Sequence, residues 1–388
     1  MIFESEYSTI GEFGEVIMGM SPKGDTYNEN KKGLPLLNGP TEFGSSHPNP
    51  ALYTTDSKRE SMIGDLIFCV RGSTTGRMNW SNQIYSLGRG VCAIRGKTKT
   101  DTKYIKYVLD VKLNSLLNIA GGGTFPNLKK DDISGFKIPL VKGREKLVSI
   151  ISAYDDLIEN NLKRVKLLEK AAQNIYKEWF VNLRFPGHEN IPIDDETGLP
   201  EGWKEVLAKE YFDFKRGIEV GSKNYVSEES DNTIPFLRVG SLGSRDKDVF
   251  TDISLVKDRI LNFEDVCISM DGSIGLVGYG LIGAYSTGLR KIVAKSNKYS
   301  TGFIYGLLKS EEIQDTIRAY AKGSTILHAS SSIDHLKFND ANEEISNQFN
   351  DIVEPIFLKM LNLLKQNNQL KSARDILLPR LMNQTIEV

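Results

Sequence analysis

The chain has 388 residues, 40% of them hydrophobic and 26% charged, enough for two or three domains of roughly 100–200 residues each. Its 49 basic and 50 acidic side chains leave a formal charge of −1, a balance that by itself argues against a nucleic-acid binder. Three cysteines without a CxxC pair (Cys69, Cys92, Cys267) exclude a disulfide scaffold or zinc ribbon and suit a reducing cytosol. The acidic start MIFESEYSTIGEFGE lacks the basic and apolar regions of a signal peptide. No apolar run approaches the ~18–20 residues of a membrane span, so a cytoplasmic protein is expected.

Residues 1–143 read as a first globular unit. Short β-like runs such as DLIFCV alternate with Gly, Asn and Ser turns, and a helix is expected over Lys103 to Ile119. Within it, 58–142 holds 15 basic and 6 acidic residues, a local net of +9. A long helix follows over 144–183, then a Pro-, Gly- and acid-rich linker over 184–202. A second unit, 203–340, repeats the mixture, with KIVAK as a strand and Gly302 to Ala321 as helix. Its segment 286–326 carries 7 basic and 3 acidic residues. A second long helix occupies 341–388. Short strands and helices without βαβ regularity make each unit α+β.

The chain repeats itself. Asp65, Gly72 and Ser73 match Asp265, Gly272 and Ser273 at an offset of 200. LPLLNG (from Leu34) faces IPFLRV (from Ile234), and Gly123, Ile133 and Lys137 face Gly323, Ile333 and Lys337 at that same offset. Three matches in chain order at one offset establish a duplication.

Both long segments carry a heptad seam. Leu147, Ile151, Tyr154, Ile158, Asn161, Val165, Leu168, Ala172, Ile175 and Trp179 alternate spacings of 4 and 3. Phe349, Val353, Ile356, Met360, Leu363, Asn367, Leu370, Arg374, Leu377 and Leu381 do the same, each 202 positions further on. A 3.5-residue period held this long keeps one stripe against a partner helix, the pattern of a coiled coil. Antiparallel pairing at a constant position sum of 528 sets Leu147 on Leu381, Ile151 on Leu377 and Trp179 on Phe349. Asn161 then meets Asn367, where two amides satisfy each other and fix the register, and Tyr154 lies beside Arg374. Pro355 is expected to start or kink the second helix within its first two turns.

Catalytic machinery is scarce. The sequence holds neither a GxxxxGK[ST] phosphate loop nor an HExxH helix, and His47, His188, His328 and His335 have no ligand spacing with cysteine. Gly278, Gly280 and Gly283 spell GxGxxG, but no helical period follows and no acid stands about 20 positions on, so glycine turns explain them better. An adenine-methyltransferase Asn-Pro-Pro-Tyr motif is absent. Asp65, Asp265 and Asp271 read as turn-forming aspartates rather than catalytic carboxylates. No catalytic or metal-binding residues are expected.

A spacer of ~50 Å with a similar unit at each end is a caliper, and dimeric DNA readers place matched modules about one helical turn, ~34–36 Å, apart. Arg71, Ser73, Thr74 and Arg77 form one candidate DNA-contact loop, with Arg89, Lys129 and Lys130 nearby. The second unit offers Lys215, Arg216, Lys223, Arg238, Arg245, Ser273, Arg290, Lys291, Lys322 and His328. Arginine bonds guanine bidentately, whereas Lys and Ser mostly anchor phosphates.

The order unit, long helix, unit, long helix resembles the specificity (S) subunit family of type I restriction–modification systems. Its phrases are GGTFPNLKKDDISGFKIPL before the first helix, LLEKAAQNIYKEWFVNLRFPGHEN after its seam, and LPEGW opening the second unit. The resemblance spans essentially the whole chain. It departs at 323–327, where GSTIL has lost the Pro and Asn of GTFPN, and before the helices at LVKGREK and NDANEE. The resemblance implies that each unit is a target-recognition domain reading part of a split DNA sequence. The helices would form an antiparallel spacer that docks two methyltransferase (modification) subunits, with restriction subunits joining the complex. The chain would be non-catalytic and hold no cofactor, while its partners use S-adenosylmethionine, Mg and ATP. A coiled-coil scaffold whose globular ends bind proteins, and an undetected nuclease or transferase, are the competing readings.

Overall fold

The structure is a computed structural model and describes residues 6–44, 46–121, 126–244 and 249–387. The chain divides into two compact units, one of 1–157 with 370–388, the other of 158–369. Both long helices are therefore shared, each unit owning a stretch of each.

In the first unit, Gly14–Met18, Val91–Gly96, Leu66–Cys69 and Met78–Trp80 form an antiparallel sheet in that order. A second sheet orders Tyr27–Asn28, Leu52–Thr54, Leu34–Leu37 and Ser86–Leu87, its last pair parallel. Tyr7–Thr9 pairs with Lys137–Pro139, closing the unit. The apolar run LIFC is buried on both faces because side chains alternate across a strand. Leu66 and Phe68 join the core under the helix Lys99–Leu117, whereas Ile67 and Cys69 join the core shared with Leu37, Tyr85 and Leu87. That helix starts at Lys99, before the expected Lys103, because the Thr98 hydroxyl accepts the Asp101 amide while Asp101 reaches back, a capping box.

The second unit repeats this plan, except that the outer strand of its second sheet lies on the opposite edge. Phe212–Arg216, Leu289–Ala294, Cys267–Ser269 and Val277–Gly278 form one sheet. Phe250–Asp252, Thr233–Leu237, Gly283–Tyr285 and Ile260–Leu261 form the other, with Thr233–Leu237 and Gly283–Tyr285 again parallel. Lys204–Leu207 closes on Lys337–Asp340. The expected helix over 302–321 is two, Thr301–Lys309 and Glu311–Ala319, because Ser310 ends one and caps the next by accepting the Ile313 amide. The duplicated α+β architecture with long helices agrees with the sequence reading.

The first long helix is Arg144–Tyr176, extended by a π turn Lys177–Val181; the second is Glu343–Met382. All twenty seam positions are buried or half-buried. In the second unit Asn161 Nδ2 donates to Asn367 Oδ1 at 2.9 Å, and Trp179 packs edge-on against Phe349 with centroids 5.4 Å apart. In the first unit Leu147 and Ile151 share a core with Leu377 and Leu381. Arg374 donates to Asp155 at 2.7 Å, a carboxylate one position along from Tyr154. One expectation needs correction. Pro355 neither starts nor interrupts its helix, which begins at Glu343; its ring is exposed, so the missing hydrogen bond falls on the solvated side.

The stretch 184–202 is not a free tether. Phe185 stacks on Trp203 at 5.0 Å, and Leu199 is buried with them in the second unit's core. Between them Asp194 closes a tight turn, accepting the amides of Glu196 and Thr197.

Candidate nucleic-acid interface

In the first unit three chain segments are tied together at one sheet end. The hairpin loop leaving Leu66–Cys69 is closed by Cys69 N–H to the Arg77 carbonyl and Gly76 N–H to the Cys69 carbonyl, both 2.9 Å. Gly72 and Gly76 there take φ of +87° and +97°, which a side chain would strain. Val70 donates to Gly90 at 3.0 Å, docking the turn that carries Arg89. Leu128 donates to Val70 at 3.0 Å, docking the segment that carries Lys129 and Lys130. Arg71, Ser73, Arg77, Arg89, Lys129 and Lys130 are exposed around this knot, and Thr74 is half-buried. Six of the seven expected contacts of the first unit thus share one exposed face, although the sequence spreads them over 60 positions. Gly122 to Phe125, which hold most of the GGTFPN phrase, lie outside the described residues.

The second unit ties the same knot. Met270 donates to Gly288 at 2.8 Å, Ala329 donates to Met270 at 2.8 Å, and Ser269 donates to Leu276 at 2.9 Å. Isolated bridges agree too: Arg71 with Asn127 and Gly121 with Asn127 in the first, Asp271 with His328 and Lys322 with His328 in the second. Beside this knot opens a cleft of about 710 Å³, lined by Glu219, Tyr225, Arg238, Asp271, Ser273 and Thr287 among others. Arg238, Ser273, Lys322 and His328 are exposed here, and the Arg238 guanidinium lies 6.0 Å over the Tyr225 ring. Arg216 ends its strand next to Gly217, whose amide bonds Leu289, so it also borders the knot. Lys215 and Lys223 are exposed, on that strand and on a separate turn; Arg245 lies outside the described residues.

Two expected contacts are not free surface. Arg290 is buried, its guanidinium donating to the carbonyls of Thr287 and Leu289 and to the Ser330 hydroxyl. Burial and the charge of Arg216 lower its pKa, against which Asp271 pushes back. Lys291 is half-buried and bonds Asp265 at 2.6 Å. The first unit has the parallel device. Asp65 accepts the Met62 amide and a bidentate Arg95, as Asp265 accepts the Asn262 amide and Lys291. Both aspartates are turn-formers, as their residue type suggested.

Sequence reading set Asp271 aside, yet it faces the cleft with Oδ1 2.7 Å from His328 Nδ1. Its alignment with Arg71 was the available signal. Gly280 takes φ of +64°, and a Cβ on Gly283 would meet the Pro235 carbonyl at 2.5 Å, so the GxGxxG glycines serve turns and close strand contact. Among the described residues no cluster of His, Cys, Asp or Glu suits a metal ion, and no helix is long and apolar enough to cross a membrane.

The sequence matches the family described as Type I restriction modification DNA specificity domain over residues 4–170 and 200–339. The chain belongs to this family. It is 27% identical to the type I restriction enzyme MjaIX specificity subunit of Methanocaldococcus jannaschii over 74% of this chain and 66% of that one. With the MjaVIII specificity subunit of the same organism it shares 24% identity over 99% of this chain and 93% of the relative. The S subunit of a type I restriction–modification system from M. genitalium has the same fold, with a TM-score of 0.54 at 17% identity, covering 98% of this chain and 96% of that one. These relatives do not favour the reading of a scaffold for other proteins.

Proposed function

We propose that the chain is the DNA-specificity subunit of a type I restriction–modification complex, each unit reading one part of a split double-stranded target. The observation that carries this reading is the duplicated three-segment knot, which presents five exposed basic side chains in the first unit and a polar cleft in the second. A cationic loop face suits phosphate anchoring, and short polar side chains beside it suit base edges. The paired long helices set the gap in the target and dock two methyltransferase subunits, through which restriction subunits join. The chain itself performs no catalysis and works in the cytoplasm. S-adenosylmethionine, Mg and ATP belong to the partner subunits.

Methylome sequencing of the host with and without the gene tests this. A split adenine-methylated motif should vanish on deletion and return on complementation. A motif that persists after deletion removes this assignment for that motif.

A further inference from the structure

The two knots share a backbone but not a charge. Hydrogen bonds match the ends of the two loops and their docking residues, although the second loop is one residue shorter, so substitutions at the matched places can be read directly. Arg71 becomes Asp271, Arg77 becomes Leu276, and Arg89 becomes Thr287, the residue before the shared glycine. Lys129 and Lys130, which follow Leu128, become Ser330 and Ser331, which follow Ala329. All five cationic positions of the first knot are non-basic in the second. Cations sit elsewhere in the second unit: exposed Lys322 stands where the first has Gly121, and buried Arg290 stands where the first has buried Cys92.

We infer that Asp271, held by His328, is a specificity-determining residue of the second unit, reading a base that presents an exocyclic amine. This rests on the DNA-reading assignment above. A carboxylate on a phosphate-facing loop repels the backbone, so it lowers general affinity there. Its compensating use is as a hydrogen-bond acceptor from cytosine N4 or adenine N6 in the major groove. Guanine O6 and thymine O4 offer only acceptors at that place and are rejected by lone-pair repulsion. The 2.7 Å bond to His328 orients one carboxylate oxygen and leaves the other for the base, and the side chain, 22% exposed, borders the cleft. The second half-site is therefore selected more by exclusion than by attraction.

The test uses the full chain assembled with its modification subunits and duplexes carrying the wild-type motif, each position of the second half-site randomised in turn. Asp271→Ala should cut discrimination about tenfold at one position whose preferred base is cytosine or adenine, leaving the first half-site unchanged. Asp271→Asn, which keeps the shape and adds an N–H donor, should admit guanine or thymine at that same position. His328→Ala should relax it more weakly. If Asp271 only balances the buried Arg290, the variants lose thermal stability while base preference stays fixed, which overturns the inference, as does a change confined to the first half-site. A wild-type complex that selects no split motif at all overturns the underlying assignment instead, and the two failures are distinguishable.

Discussion

Asn161 and Asn367 satisfy one another inside the second unit. Asn161 Nδ2 donates to Asn367 Oδ1 at 2.9 Å, and Asn367 Nδ2 donates to the Ile158 carbonyl at 3.2 Å, with both residues buried. Leucine at 367 leaves the Asn161 Nδ2 without its acceptor, and leucine at 161 leaves the Asn367 Oδ1 without its donor, each at a cost of about 1–3 kcal/mol. Leucine at both removes the polar pair and should recover most of that loss, while surrendering the register that the pair enforces. Urea denaturation of the two single variants and the double should show this non-additivity. The double variant should also tolerate more than one gap length in the target; an unchanged gap preference would count against a register role.

Asp340 gives the second unit an acid-sensitive anchor. Its carboxylate is buried and accepts from Lys298, from Tyr299, and from Tyr211 at 2.8 Å. Burial raises its pKa, but the hydrogen bonds of Lys298, Tyr299 and Tyr211 overcome this and hold it below the ordinary value. A depressed folded pKa stabilises the protein above the unfolded Asp value of about 3.9, and the contribution fades as pH falls through the folded one. Asp340→Asn should therefore cost about 2 kcal/mol at pH 7, and progressively less as the pH falls below about 4. Denaturant melts across that pH range check the convergence.

The seam was legible in the sequence because a strict heptad period has few packing solutions and an asparagine within it demands a partner. The partner of Arg374 was not, since a long guanidinium reaches one position along, to Asp155, and period alone does not resolve that step. The linker's role was hidden by composition: Pro, Gly and acids dominate it, whereas two aromatics, Phe185 and Trp203, decide where it goes. Arg71, Arg89 and Lys129 come together because three chain segments are hydrogen-bonded at one sheet end, a meeting that no spacing in the sequence shows. Arg290 and Lys291 look alike as adjacent charges in a strand; alternation sends Arg290 inward, and only the alignment with Cys92 signals it.

Asp65 and Asp265 occupy the same turn but should differ in worth. Asp65 receives Arg95 Nε and Nη2 at 2.8 Å each and the Met62 amide at 2.7 Å, and it is buried. Asp265 receives one lysine nitrogen and one amide, and both of its ion-pair side chains remain partly solvated. A planar fork holds a carboxylate better than a point charge does. Asp65→Asn should cost about 2 kcal/mol and Asp265→Asn about 1, read as a larger loss of melting temperature for the first. Equal losses would contradict the ranking.

All three cysteines are buried thiols, and burial pushes the Cys92 thiol up. The thiolate is the reactive form, so native protein should show almost no titratable thiol toward a disulfide reagent. Three should appear on unfolding. A fast-reacting thiol in the native state would show a local opening of the strand Leu66–Cys69, Val91–Gly96 or Cys267–Ser269.

The strongest contrast lies in salt dependence. Arg71, Arg89, Lys129 and Lys130 are exposed on the first knot and can each neutralise a phosphate. Each phosphate contact contributes about −0.9 to the slope of log affinity against log salt on duplex DNA. Alanine at any one of them should flatten that slope by about 1 and weaken binding alike for matched and mismatched targets. Stability should move by no more than about 0.5 kcal/mol, because these side chains are solvated. Arg290→Ala should do the reverse. It abandons the carbonyls of Thr287 and Leu289 and the Ser330 hydroxyl inside the second knot, lowering stability with little change of slope. Fluorescence anisotropy of the assembled complex between roughly 50 and 200 mM salt, beside thermal melts, separates the two classes. A steep slope surviving removal of all five exposed charges of the first knot, Arg77 included, would move the phosphate contacts away from it, to another face or to the partner subunits.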